Sequence, residues 1–131
     1  MSGGRATVGR KKGKELIAQA GDLSAVHSSG QPFLDKFYTE LKSYRDLNYA
    51  GILTNTGNLT KFWQSTITEA NNYRRHPMLI AKQNRMPVVV FLQVMGLRVL
   101  RLHIEQAIIT APHQGAYGFL FDDFIRWAQP L

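Results

Sequence analysis

The 131-residue chain contains no cysteine. This absence excludes a disulfide-stapled scaffold, a cysteine-ligated zinc site and a thiol nucleophile. Acidic residues are scarce, with 9 Asp and Glu against 16 Lys and Arg, and the formal net charge is +7. The longest apolar run, residues 87–97, contains Gln93 and is followed by Arg98, so it is too short to span a bilayer. We therefore expect a cytoplasmic protein without membrane association, whose partners carry negative charge.

The composition supports one globular domain. Hydrophobic residues make up 44% of the chain and aromatic residues 11%, which is enough for a core at this length. We divide the sequence into a basic leader, residues 1–14, and a single domain, residues 15–131. The leader has no acidic residue and five basic ones, namely Arg5, Arg10, Lys11, Lys12 and Lys14. Such a glycine-rich cationic segment can follow a DNA backbone, or it can be a solubilising tail.

Hydrophobic periodicity predicts a mixed α/β fold. Two-residue alternation and short apolar runs predict strands at residues 23–26, 36–44, 78–81, 87–92 and 116–121. Three- and four-residue spacing of apolar side chains predicts a helix over 59–74, and a shorter helix is expected over 122–128. Residues 97–111 fit a helix or strands equally well. Because strands come both before and after a strong helix, we expect a mixed β-sheet flanked by helices.

One pattern on the predicted strand 36–44 carries chemistry. Glu40 and Lys42 are two residues apart and would project from the same face, about 7 Å from each other. Asp22 lies at the head of the preceding predicted strand. If the two strands pair, Asp22 and Glu40 could bind one divalent cation, and hard carboxylate oxygens suit Mg²⁺ or Mn²⁺. An acid and a lysine at this spacing can equally be a surface ion pair worth less than about 1 kcal/mol.

The order of these residues resembles the Asp…Glu-x-Lys core of the PD-(D/E)xK nuclease superfamily. Gly21-Asp22 stands where that superfamily begins its first core strand, and residues 37–44 are similar to its Glu-x-Lys strand. The helix that contains Phe62-Trp63-Gln64 and the strand 77–82 follow in the same order. The chain looks like small phage-encoded members akin to Holliday-junction resolvases. The resemblance extends over residues 21–92 and implies a restriction-endonuclease-like core.

The resemblance also implies roles for individual residues. Asp22 and Glu40 would be metal ligands, the backbone carbonyl of Leu41 a further ligand, and Lys42 the catalytic lysine. Gln64 matches a polar position that some members place on the helix near the phosphate. The implied activity is Mg²⁺-dependent (or Mn²⁺-dependent) endonucleolytic cleavage of branched or structured DNA, and a homodimer is expected. Members of the superfamily usually carry a further acidic residue on an earlier helix. Glu15 is the candidate for this residue here, unless another subunit supplies it.

Several other residues have alternative interpretations. Asp35 is a second candidate for the first acid, although only five residues separate it from Glu40. His27 could reach a phosphate, but surface placement is the simpler interpretation. Four basic residues are expected to cluster in the loops around the strand 78–81 and to form either a DNA-backbone patch or a solvated edge. These are Arg74, Arg75, Lys82 and Arg85.

The aromatic residues of the predicted helix, Phe62, Trp63 and Tyr73, are more typical of a core than of base stacking. The sequence also leaves two other functional classes open. One is a non-catalytic nucleic-acid-binding protein with a degenerate nuclease fold. The other is a phage structural or assembly factor that binds a protein partner.

Overall fold

The computed structural model describes residues 36–128. Asp22, the leader and the strand predicted at 23–26 lie outside the described residues, and the division into leader and domain stays a prediction. The described strands are β1 (Phe37–Tyr44), β2 (His76–Gln83), β3 (Val89–Leu92), β4 (Ile109–Ala111) and β5 (Ala116–Leu120). The described α-helices are α1 (Gly51–Thr54), α2 (Gly57–Asn72), α3 (Val94–Leu100) and α4 (Phe121–Trp127).

The five strands form one mixed sheet in the order β1-β2-β3-β5-β4. β1 and β2 pair in parallel, whereas every other neighbouring pair is antiparallel. The parallel pair requires a crossover, and α1 and α2 provide it. The expected fold class, a mixed β-sheet flanked by helices, is confirmed.

The sheet is covered by helices on both faces. On one face, Leu79 and Phe91 pack against Leu59 and Trp63 of α2. On the other face, the side chains of α3 and α4 pack against alternate residues of the same central strands, such as Met78 and Ile80. Because the central strands are buried on both sides, their sequences are almost entirely apolar.

Helix α2 is the element that covers β1 and β2. Its buried residues Leu59, Trp63, Thr66 and Ala70 recur at three- and four-residue steps, as an amphipathic helix requires. The Thr66 hydroxyl donates to the Phe62 carbonyl oxygen at 2.7 Å, which satisfies a polar group on the buried face. Trp63 has no exposed surface, and its indole N–H donates to the Gln114 carbonyl oxygen at 2.8 Å.

Some sequence-based boundaries need correction. The ambiguous segment 97–111 contains the end of α3, a 3₁₀ turn (Ile104–Gln106) and β4. Its apolar residues pack into the cores on both faces of the sheet, so they follow no single period. Lys82 and Gln83, expected in a loop, belong to β2. Among the described residues, no helix is both long and apolar enough to cross a membrane.

Candidate active site

The alternation along β1 places the side chains of Glu40 and Lys42 beneath α2. Glu40 lies beside Leu79 and Lys42 beside Ala81 in the parallel register, and both β2 partners are in the core that contains Trp63. Paired residues of neighbouring strands share a face of the sheet, so Glu40 and Lys42 lie on the α2 side. The predicted strand and the predicted common face of the two residues are both observed.

The Glu40 carboxylate is oriented by two neighbours on its own strand. The Tyr38 hydroxyl donates to Oε1 at 3.1 Å, and the Lys42 ammonium lies 3.6 Å from Oε2. The side chains of Glu40 and Lys42 are 34% and 16% exposed. The carboxylate is therefore held in one orientation while part of it stays accessible to solvent.

An aromatic ring from α2 positions the lysine. Lys42 Nζ lies 4.8 Å from the centroid of the Phe62 ring, which favours a cation over its face. The same ring contacts Tyr44, with 5.1 Å between ring centroids. Phe62 was predicted to be a core residue; it is half-buried and packs against the core at its edge, where its ring also supports the cationic side chain.

These groups line a small cleft between β1 and α2, with a volume of about 50 Å³. This is enough for a few water molecules. The β1 residues of the cleft are Tyr38, Glu40 and Lys42, and the α2 residues are Phe62, Ser65, Thr66 and Glu69. Glu69 was missed by the sequence analysis, although residues 62, 66 and 69 follow helical spacing and share one side of α2.

The environment of Tyr38 favours its protonated form. Burial raises the pKa of the Tyr38 hydroxyl, and the negative charge of Glu40, the hydrogen bond to Glu40 and the charge of Glu69 raise it further. The hydroxyl therefore remains a hydrogen-bond donor to Glu40 at neutral pH.

The other predicted metal and catalytic residues are not in this cleft. Gln64 is exposed on α2, and its amide N–H donates to Gln114 Oε1 at 2.6 Å. The Leu41 side chain alternates to the opposite face of β1, although its predicted role concerns its carbonyl oxygen. Asp22 lies outside the described residues, so its distance from Glu40 stays a prediction.

The cleft has the donor chemistry that a hard divalent cation requires, but only part of a ligand set. Glu40 and Glu69 are among the residues that line it, and carboxylates are the ligands that such a cation prefers. Within residues 36–128, no three His, Asp or Glu side chains are grouped so that they could hold a metal ion. A protein-bound cation here would therefore need a ligand such as Asp22 in addition to Glu40.

The four basic residues predicted around this strand lie in two pairs, one at each end of β2. Arg74 and Arg75 directly precede the strand, whereas Lys82 is near its end and Arg85 is in the following turn. Because a strand rises about 3.3 Å per residue, Arg75 and Lys82 are about 23 Å apart along it. Lys82 Nζ donates to the carbonyl oxygens of Gln83 and Met86, at 2.9 and 2.8 Å.

Lys82 also borders a different cavity of about 480 Å³, which lies next to α4. Asp122, Asp123 and Arg126 line this cavity with it. The lysine side chain is thus directed to the face of the sheet opposite Glu40. Whether the four basic residues bind DNA stays a prediction.

Comparison with known proteins identifies the family. Residues 4–114 match the sequence model of a family described as "Phage putative PDDEXK endonuclease". This match includes β1 to β4, α2 and the segment that contains Asp22. No curated protein and no solved structure matches the chain. The chain belongs to this phage family of the PD-(D/E)xK nuclease superfamily, and its mixed sheet with flanking helices is a restriction-endonuclease-like fold.

Proposed function

We propose that the chain is a Mg²⁺-dependent (or Mn²⁺-dependent) DNA endonuclease whose active site is the cleft around Glu40 and Lys42. The observation that supports this most directly is the orientation of the Glu40 carboxylate between the Tyr38 hydroxyl and the Lys42 ammonium, at 3.1 and 3.6 Å. A charge pair on the same strand, beneath a helix and open to solvent on one side, is suited to bind a cation and a phosphate together.

In this proposal Glu40 and Asp22 hold the cation, with the Leu41 carbonyl oxygen as a further ligand. When bound, the divalent cation supplies a Lewis acid that polarises the phosphate and lowers the pKa of water. The Lys42 ammonium orients the attacking water and balances the negative charge that develops on the phosphate oxygens. Gln64 is the remaining residue of the proposed catalytic set, although its bond to Gln114 must open before it can contact DNA.

Branched DNA, such as a Holliday junction, is the proposed substrate, and a homodimer is the proposed assembly. Two strands must be cut, and a chain of 131 residues carries a single candidate site in its described part. The cytoplasm of the phage host is the proposed location. The basic leader residues, together with Arg74, Arg75, Lys82 and Arg85, are proposed to contact the DNA backbone.

Isosteric removal of the charge at residue 40 tests the proposed chemistry. We expect Glu40→Gln to lower the rate of DNA cleavage at least about 100-fold, and Lys42→Ala to have a similar effect, since each removes a charge from the reacting centre. The rates are measured in single turnover on labelled four-way junctions, flaps and linear duplexes, with Mg²⁺, Mn²⁺ or EDTA. DNA affinity is measured in parallel and should remain detectable.

Glu105→Gln and Lys61→Ala are the matched controls, because both side chains are exposed and neither lines the cleft. Both controls should cleave at the wild-type rate. Cleavage by Lys42→Ala at the wild-type rate would refute the assignment of the site. DNA binding by the wild-type chain without cleavage in either cation would instead indicate a non-catalytic nucleic-acid-binding protein.

A further inference from the structure

The exposed aromatic side chain at the end of α2 has no role in the core. Tyr73, the residue that follows the last turn of α2, is 59% exposed. The expectation that Tyr73 is a core residue is therefore wrong, whereas Trp63 on the same helix is fully buried. A large aromatic surface is thus presented to solvent at the edge of the candidate active site.

The Tyr73 ring is supported from one side by Tyr38. The two rings are almost parallel, with an interplanar angle of 8° and 5.6 Å between their centroids, which is an offset stack. Tyr38 is itself fixed through its hydroxyl, which donates to Glu40. Tyr38 occupies one face of Tyr73, so most of the exposed area lies on the other face and the edge of the ring.

The backbone N–H of Tyr73 is also hydrogen-bonded. Its N–H is within hydrogen-bond distance of the Glu69 and Ala70 carbonyl oxygens, at 3.2 and 3.1 Å. Arg74, which follows, has a φ of 57°, so the chain turns sharply here and enters β2. The ring is therefore attached to a hydrogen-bonded helix end.

Two cationic residues follow Tyr73 directly in the chain. Arg74 and Arg75 are exposed, and within residues 36–128 neither forms an ion pair with a carboxylate. Proteins that bind single-stranded nucleic acid combine these two features, an aromatic ring on which a base stacks and adjacent cations that contact the phosphates.

We propose that Tyr73 is a stacking platform for an unpaired nucleobase of DNA, next to the cleft that contains Glu40. The Tyr38 ring joins the two positions, because it stacks on Tyr73 and its hydroxyl bonds Glu40. A base within a continuous duplex has both faces covered by its neighbours, whereas a base at a flap, an overhang or a branch point has a free face. The platform therefore selects DNA that has an unpaired nucleotide beside the scissile phosphate. This inference rests on the proposed nuclease function, because only a nuclease has a scissile phosphate next to Tyr73. Its test does not require cleavage.

The test is a binding experiment on the full chain in EDTA, where turnover is absent. The ligands are a short fluorescein-labelled single strand and a blunt duplex of the same sequence, and the readout is fluorescence anisotropy. We expect Tyr73→Ala to weaken single-strand binding about 10-fold, the loss that removal of one stacked base produces, and to change duplex binding less than about twofold. Tyr73→Phe retains the ring and should bind like the wild type.

A second readout reports the stacking itself. A flap oligonucleotide with 2-aminopurine as its first unpaired base should lose fluorescence on binding to the wild type and to Tyr73→Phe, but not on binding to Tyr73→Ala. Leu53→Ala is the control, because Leu53 is 47% exposed and lies on α1, at the other end of α2. Thermal unfolding checks that each variant is folded.

Two results would overturn the platform. One is unchanged single-strand affinity in Tyr73→Ala, and the other is an equal loss for the single strand and the duplex in a folded variant. Neither result depends on catalysis. Failure of the nuclease proposal is recognised separately, as unchanged cleavage in the Glu40 and Lys42 variants.

Discussion

At the scale of single residues, Tyr38 connects the three parts of the candidate site. Its ring stacks on Tyr73, its hydroxyl donates to Glu40, and its side chain lines the cleft opposite Glu69. The ring and the hydroxyl can be separated by one substitution. Tyr38 therefore allows the orientation of the carboxylate to be tested without disturbing the aromatic stack.

We expect Tyr38→Phe to lower the single-turnover cleavage rate about 10-fold, because a hydrogen bond to a charged group contributes about 1.5–3 kcal/mol and only part of it is lost when water replaces the hydroxyl. Binding of a single strand in EDTA should not change, since the Phe ring still supports Tyr73. Tyr117→Phe is the control, because Tyr117 lies on β5, outside the cleft. A wild-type cleavage rate in Tyr38→Phe would show that the hydrogen bond does not contribute to positioning.

At the same scale, some features of the candidate site can be predicted from the sequence and others cannot. The common face of Glu40 and Lys42 follows from strand alternation alone, because a period of two is a local property. Glu69 and the stack of Tyr73 on Tyr38 depend on how α2 lies across β1. That packing is set by the burial of Trp63 and Leu59 against β2, which no local pattern around residue 69 or 73 expresses.

At the scale of elements, one tyrosine hydroxyl connects the segment before α1 with β2 and with the β2–β3 connection. Tyr49 lies in the segment between β1 and α1, and its hydroxyl is within hydrogen-bond distance of the Ala81 and Pro87 carbonyl oxygens, each at 3.1 Å. The Gln83 N–H donates to the same hydroxyl at 3.1 Å. This group therefore holds three segments in register near the end of β2.

We expect Tyr49→Phe to lower the free energy of unfolding by about 1–3 kcal/mol, because it leaves buried backbone groups without a partner. The change is measured by urea denaturation. Burial raises the pKa of the Tyr49 hydroxyl from 10.0 to about 12. The contribution of this protonated hydroxyl is thus complete below about pH 10 and is lost as pH rises towards about 12.

The wild type should therefore lose stability over this alkaline interval, and Tyr49→Phe should lose less. Tyr117→Phe provides the comparison for removal of a tyrosine hydroxyl elsewhere. An identical alkaline decline in the wild type and in Tyr49→Phe would contradict the assignment.

The segment 97–111 illustrates what the sequence cannot predict at this scale. Its apolar residues fit both a helical and a strand pattern, and only the neighbouring strands decide between the two.

At the scale of the whole molecule, the four basic residues of the described surface that are proposed to contact DNA are divided between two regions. Arg74 and Arg75 lie beside the proposed platform, whereas Lys82 and Arg85 lie at the other end of β2. Each pair can be neutralised independently, so the direction in which DNA extends from the site can be determined.

We expect the double variant Arg74→Ala/Arg75→Ala to reduce the salt dependence of single-strand binding, lowering the slope of log K against log salt by about 1.4, because each lost phosphate contact on a single strand removes about 0.7. The variant Lys82→Ala/Arg85→Ala should have a smaller effect, because the Lys82 ammonium is held by backbone carbonyl oxygens. Equal effects of the two variants would mean that DNA contacts both ends of β2.

The parallel pairing of β1 with β2 has a consequence for how the protein acquires its site. Every β1–β2 pair, such as Phe37 with His76, is separated by 39 residues in the sequence, which is more than any pair between the other strands of the described sheet. The segment between β1 and β2 forms α1 and α2, so the cleft between β1 and α2 exists only after α2 has packed against β2. A partly folded or incompletely synthesised chain then carries Glu40 and Lys42 without the cleft that contains them. The candidate active site thus depends on contacts between segments that are far apart in the sequence.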